Sequence, residues 1–233
     1  MNNRRVMLKL SGEALSFPNG GGYNVDEITK VAKQVKSAVD EGVEVGIVIG
    51  GGNYWRGRSS ENIDRTKADQ IGMLATIMNC IFVSEIFRNE GMKTAIFSPF
   101  ACGTVTELFS KDKCNELFSR GYVLFFGGGT GHPYFSTDTG IVLRGIELEA
   151  DMILLAKSID GVYDDDPGKN PGAKKYDTVS IDEVIDKKLK VVDLTASALC
   201  HDYKMPLAVF DLREEGAITA AMKGDVHGTT VTV

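Results

Sequence analysis

Apolar residues along the chain fall into two patterns, short continuous runs and longer stripes at helical spacing. The runs at 5–10, 43–49, 93–97, 122–126, 152–156 and 207–211 have the length and continuity of strands buried on both faces. A last strand is expected at 228–233. Between the runs, Ile28, Val31, Ala32, Val35 and Val39 mark a helix over 26–41 that Gly42 ends. Ile71, Leu74, Ala75, Met78, Phe82 and Ile86 mark a longer one over 64–89, closed by Gly91. The pattern also predicts helices over 106–120, from Thr137 or Asp138 to Leu148, and over 181–187, 196–203 and 217–223. The stretch 157–177, rich in Asp, Gly, Pro and Lys, reads as a long loop. Strands alternating with helices imply an α/β fold, a three-layer α/β/α sandwich around a mainly parallel central sheet. A single domain, 1–233, is expected, with lobes of about 1–150 and 151–233 that divide near Asp151. There is no internal repeat or low-complexity tract.

Three strands run into glycine-bearing turns: Leu10-Ser-Gly12, Ile49-Gly-Gly-Gly52 and Phe126-Gly-Gly-Gly129. In parallel sheets, ligands sit beyond the carboxyl ends of the strands. Three such turns at one edge are more than packing requires. The stretch 127–139 is a glycine-rich turn followed by a helix start, which lets backbone approach a ligand and offers unpaired N–H groups to a phosphate. An ordinary αβ turn has the same signature. There is no G-x-x-x-x-G-K-[ST] and no G-x-G-x-x-G. Lys9, interrupting the apolar Val6-Met-Leu-Lys-Leu10 run, is a candidate anion ligand; its alternative is a lysine snorkelling from an edge strand.

Composition narrows the partners. With 43% hydrophobic and 25% charged residues the chain is ordinary for a globular protein, and its net charge of −6 makes no case for nucleic acid. An anionic ligand must meet a local cluster of cations and N–H groups. Cys80, Cys102, Cys114 and Cys200 show no C-x-x-C spacing, so neither zinc nor a disulfide framework is expected. No signal peptide is read at the N-terminus, and no apolar run is read as approaching the ~18 residues of a membrane span. A cytoplasmic protein is expected. The Asp164–Asp166 run lacks the glutamate of a calcium-binding EF-hand loop, Lys175 standing there instead. His201 and His227 have no partner visible in sequence.

Six motifs occur in order: Lys9-Leu-Ser-Gly-Glu13, Gly50-Gly-Gly-Asn-Tyr-Trp-Arg-Gly57, Arg65-x-x-x-Asp69, Gly72-Met-Leu-Ala-Thr76, Gly129-Thr-Gly-x-Pro-Tyr-Phe-x-Thr-Asp138 and Asp160-Gly-Val-Tyr-x-x-Asp-Pro167. On these, the chain resembles the bacterial uridylate (UMP) kinases of the amino acid kinase superfamily over nearly its whole length. The resemblance implies that fold, with ATP and Mg²⁺ as cofactors and UMP as substrate. It matches Lys9, Ser11 and Gly12 to an ATP-phosphate loop, Gly52 and Arg56 to positions near the ATP phosphates, and Lys157, Tyr163 and Asp166 to adenosine contacts. It matches Gly51 to the UMP phosphate, Asp69 to the ribose hydroxyls, and Thr130, Gly131, His132, Pro133, Tyr134, Phe135, Ser136 and Thr137 to the UMP loop. Lys9, Arg56, Asp138 and Asp193 fall at catalytic positions, Asp138 as the carboxylate that holds the lysine and metal. His132 replaces the Asn of the best-known members and Ser136 a Thr, and Lys157-Ser158 with Asp164–Asp166 depart from the usual adenine side. The resemblance further implies a homohexamer, activation by GTP and inhibition by UTP. The helix 64–89 is the candidate interface, with Ile77, Ile81 and Val83 leaving it apolar on more than one side.

Read from the residues alone, Asp69 is also an exposed i,i+4 partner of Arg65. Phosphorylation of a carboxylate, or nucleotide binding without turnover, are the competing functions. A UMP phosphate, with its second pKa near ~6, needs no general base.

Overall fold

In a computed structural model, the residues described are 4–17, 22–55 and 62–233. The chain opens with β1 (Arg5–Leu10), a 3-10 turn (Glu13–Leu15), α1 (Val25–Asp40), β2 (Glu44–Ile49) and the long α2 (Arg65–Asn89). Next come β3 (Lys93–Ser98), β4 (Glu107–Leu108), α3 (Lys111–Ser119), β5 (Tyr122–Phe126) and α4 (Thr137–Glu147). β6 (Met152–Lys157), β7 (Val162–Tyr163), β8 (Lys175–Tyr176), β9 (Thr178–Ser180) and α5 (Ile181–Asp186) follow. α6 (Leu194–Tyr203), β10 (Leu207–Asp211), α7 (Ala217–Lys223) and β11 (Gly228–Thr232) complete the chain.

Nine strands form one sheet in the order β4-β3-β5-β2-β1-β6-β10-β11-β9. β10 and β11 pair antiparallel, and every other neighbouring pair is parallel. β1 is central, with Lys9 opposite Val48 on one side and Leu155 on the other. The edge-strand alternative for Lys9 is thereby removed. Strand alternation sends Val6, Leu8 and Leu10 to the face covered by α1, α2 and α7, and Met7 to the face covered by α3, α4 and α6. Lys9 shares the Met7 side, the side of α4. Burying each large apolar chain contributes about 1.5–3 kcal/mol, and both faces are filled this way, with Phe87 of α2 edge-on to Phe125 of β5 at 5.2 Å.

Several boundaries differ from the pattern reading. The helix expected over 106–120 is two elements. Glu107 and Leu108 pair with the edge of β3, and the Ser110 side chain then caps α3 by accepting from the Lys113 N–H. The expected loop at 157–177 includes the hairpin β7–β8. Its aspartates shape the turn: Asp164 accepts from the Lys174 N–H at 2.7 Å, and Asp166 from the Gly168 N–H at 3.0 Å. α2 is, by length and composition, apolar enough to cross a bilayer, contrary to the expectation of no such run. It lies against β3, with one face buried in the core and Ile71, Leu74, Met78 and Ile81 exposed on the other. Ile77 and Val83, read from sequence as leaving a second apolar side open, are in the core.

Candidate active site

The parallel strands bring the ends of β1, β2, β5, β6 and β10 to one edge, and the glycine turns meet there. The first turn lies so close to the second that a Cβ on Gly12 would collide with the Gly50 carbonyl and come within 2.5 Å of Asn53 Oδ1. A Cβ on Gly51 would meet the Gly72 carbonyl at 3.0 Å, and one on Gly127 would meet Ile77 at 2.9 Å. Both turns are therefore seated on α2, whose Gly72-Met-Leu-Ala-Thr76 segment leaves room for backbone. The third turn is tied to the same helix, the Gly128 N–H donating to Thr76 Oγ1 at 2.8 Å.

At the centre of this edge Lys9 Nζ donates to Asp138 Oδ1, each side chain about one-fifth exposed. Asp138 is in the first turn of α4, which Ser136 caps by accepting from the N–H groups of Asp138 (3.0 Å) and Thr139 (3.2 Å). Ser136 in turn donates to Asp193, which also accepts from Thr139 Oγ1 at 3.1 Å and caps α6 through the Ala196 N–H at 2.9 Å. Asp193, expected at a catalytic position, is thus engaged in joining the starts of α4 and α6. A second lysine, Lys157 at the end of β6, donates to the Val191 carbonyl. Burial pushes its ammonium below the ordinary lysine range; Asp138 raises it and the Lys9 charge lowers it further. Lys9, Ser11, Lys157 and Ser158 line one small cleft.

On one side of the lysines opens a cleft lined by Gly51, Asp69, Thr130, His132, Phe135, Ser136 and Thr137. Trp55, Arg65, Met73 and Thr76, which the motifs did not single out as site residues, line it too. Thr76 was legible as the residue two turns beyond Asp69 on the same helix face. Asp69 is only 13% exposed on its side chain, against the reading of it as a surface partner. It accepts from Arg65 Nε through both oxygens at 2.9 Å and from the Tyr134 N–H at 2.7 Å. The Arg65 guanidinium also lies over the Tyr134 ring at 5.5 Å. Tyr134 has a φ of +72°, a strained value for a non-glycine residue that the Asp69 contact helps hold. Gly131 has φ +84° with Pro99 beneath it, so with Pro133 and Tyr134 it shapes the loop rather than lining the cleft. Trp55 Nε1, at the cleft, is buried with no partner among the described residues.

On the other side is a cavity of about 360 Å³ bounded by Lys157, Gly161, Tyr163, Asp166, Lys187 and Val191. It gathers Lys157, Tyr163 and Asp166, the three residues matched to adenosine contacts. The Tyr163 hydroxyl donates to Asp160 at 2.8 Å. Gly52 faces Glu13, whose Oε1 would lie 2.6 Å from an added Cβ. Arg56 lies outside the described residues. Lys9, Lys157 and the abutting turns are the groups here that could hold a phosphate. Among the described residues no three His, Cys, Asp or Glu converge as a metal cage. Asp138 is the carboxylate beside both lysines, which suits a cation carried by phosphates more than one held by protein alone.

Residues 4–211 match the model of the amino acid kinase family. The structure is similar to that of a UMP kinase from Bacillus anthracis, with a TM-score of 0.94 and 36% identity over 98% of this chain and 96% of that one. It is similar to a UMP kinase from Ureaplasma parvum, with a TM-score of 0.94 and 32% identity over 100% of both chains. A uridylate kinase from Archaeoglobus fulgidus, at 24% identity over 97% and 99% of the two chains and a TM-score of 0.75, shares the fold.

Proposed function

The chain belongs to the amino acid kinase family, and we propose that it is a UMP kinase, moving the γ-phosphate of ATP to UMP to give UDP and ADP. One observation carries this reading: the Lys9–Asp138 pair stands between a cleft containing a shielded, preorganised Asp69 and a second cavity floored by Lys157. The first takes the acceptor and the second the adenosine of the donor. Full-length relatives at 36% and 32% identity are UMP kinases.

Transfer of a phosphoryl group is mostly positioning and charge neutralisation. Lys9, held by Asp138, faces the transferring group, and Lys157 and the glycine-turn N–H groups lie around the donor phosphates. Arg56 is assigned to the same phosphates from its motif. The acceptor phosphate is largely ionised at neutral pH, so no histidine base is needed. Mg²⁺, when bound, neutralises charge on the nucleotide phosphates, and Asp138 is the side chain suited to it. Asp69 reads the ribose, and Ser136 with Asp193 fixes the helix start that presents Asp138. The 1–150 lobe thus serves the acceptor and the 151–233 lobe the adenosine.

We assign the exposed stripe Ile71, Leu74, Met78 and Ile81 of α2 to a subunit contact in a homohexamer of the cytoplasm, activated by GTP and inhibited by UTP. Light scattering that shows a monomer at working concentration would reject the assembly. The function is tested by a coupled assay with ATP and Mg²⁺ across UMP, CMP, AMP, GMP, aspartate and glutamate. Turnover concentrated on UMP is expected. Turnover only with an amino acid would overturn the acceptor assignment, and nucleotide binding without any turnover would overturn the enzyme itself.

A further inference from the structure

α2 carries a polar residue that no motif pointed to. Asn79 lies in the middle of the helix and is 1% exposed. Its amide uses all of its hydrogen-bonding capacity. Nδ2 donates to the Gly50 carbonyl at 2.7 Å and to Asn53 Oδ1 at 2.8 Å. Oδ1 accepts from Asn53 Nδ2 at 3.1 Å and from the Tyr23 hydroxyl at 2.9 Å. The orientation is fixed by chemistry, because a carbonyl oxygen only accepts and the NH₂ must face Gly50. Asn53 then has to present its own amide in the reciprocal sense.

An apolar set of the same shape could replace the Asn79–Asn53 pair at little cost, but the Gly50 carbonyl is backbone and needs a donor. What the amide adds is a fixed location for the 50–53 backbone. That segment abuts the first glycine turn: a Cβ on Gly12 would lie 2.5 Å from Asn53 Oδ1 and 3.0 Å from Asn79 Nδ2. Its next residue, Gly51, lines the acceptor cleft. One turn earlier on α2, the Thr76 hydroxyl accepts from the Gly128 N–H at 2.8 Å and donates to the Met73 carbonyl at 2.7 Å.

We propose that Asn79 is a positioning residue for phosphoryl transfer, fixing the 50–53 segment so that the donor and acceptor turns keep their separation. This rests on the phosphotransfer reading above. Asn79→Asp preserves the shape but sets an oxygen against the Gly50 carbonyl, so the segment must move while the ligand-facing groups remain. A misplacement of about 1 Å lowers a transfer rate by about 10²-fold. Expected for Asn79→Asp is a fall in kcat per folded molecule of that order, with separate UMP and ATP dissociation constants within about threefold of wild type. Hydrogen exchange of peptides covering 50–55 should speed up in the unliganded protein. Asn53→Ala removes the loop half of the pair without altering α2, and should reproduce both effects if Asn79→Asp does not fold. A lower Tm with wild-type kcat and wild-type exchange at 50–55 would overturn the proposal, as would a change confined to UMP affinity. A wild-type protein inert towards UMP would overturn the functional reading instead. The exchange measurement, needing no substrate, still decides whether Asn79 holds the loop.

Discussion

Asp69→Asn is the sharpest test of the acceptor cleft, because it changes charge with almost no change of shape. In the resting protein one amide oxygen can still accept from the Tyr134 N–H, now at 2.7 Å from the carboxylate. The new NH₂ displaces one of the two oxygens that Arg65 Nε reaches at 2.9 Å. Arg65 is 36% exposed on its side chain, so solvent screens the pair, and its loss costs about 0.3–1 kcal/mol of stability. The complex should suffer more. A hydrogen bond to a charged acceptor contributes about 1.5–3 kcal/mol, roughly twice a neutral one, so the ribose contact weakens by about 1–1.5 kcal/mol. That is about five- to twelvefold in kcat/KM for UMP. For dUMP, which lacks one of the hydroxyls, the loss should be smaller, and the preference of wild type for UMP over dUMP should shrink by the ratio of the two losses. Coupled ADP release on both nucleotides, with a thermal melt to count folded protein, measures it. An equal loss on both substrates would refute the reasoning, leaving Asp69 with only its links to Arg65 and Tyr134.

Two other perturbations separate chemistry from scaffolding. Lys9→Met keeps an unbranched side chain in the central strand but removes the charge beside Asp138; turnover should fall about 10²–10³-fold or more while UMP binding by calorimetry survives, and near-normal turnover would exclude Lys9 from the reaction. His227 is raised above its ordinary 6.5, first by its hydrogen bond to Glu214 at 2.7 Å and then by Asp225. Its contribution to stability is therefore full below pH 6.5 and lost as pH rises through the higher folded value; the Tm difference between wild type and His227→Gln should shrink over that window, and a constant difference would contradict the sign.

The strands were legible because strands buried on both faces leave continuous apolar runs, and β1, β2, β5, β6 and β10 follow that rule. β4, β7, β8 and β9 did not, since each is two or three residues long and owes its extension to a neighbour rather than to its own pattern. At 106–110, apolar Leu108 and Phe109 continued a helical spacing that Ser110 interrupts as a cap. The glycine turns and Lys9 were readable because each breaks a rule of its surroundings: glycine at a strand end, a cation in an apolar run. Asp193 was less readable. An aspartate preceding a helix is also an N-cap, and the structure gives its carboxylate to Ala196, Ser136 and Thr139. Thr76 shared a helix face with Asp69 but carried no chemistry of its own to mark it, and Asn79 was missed because its partners Gly50, Asn53 and Tyr23 lie on loops distant in sequence, which no periodicity reveals.

The missed residues share one helix with one of those found, and that has a physical consequence. Asp69 meets the Tyr134 N–H, Thr76 meets the Gly128 N–H, and Asn79 meets the Gly50 carbonyl. All three lie on one side of α2, and at 1.5 Å per residue the first and last are about 15 Å apart along its axis. Loops alone hold such distances poorly; a continuous hydrogen-bonded helix holds them within a fraction of an ångström. The opposite side of the same helix is the exposed stripe of Ile71, Leu74, Met78 and Ile81. A subunit seated on that stripe would bear on the rod from which both sides of the reaction centre hang, so covering it would set the acceptor loop and the donor turn together rather than one at a time.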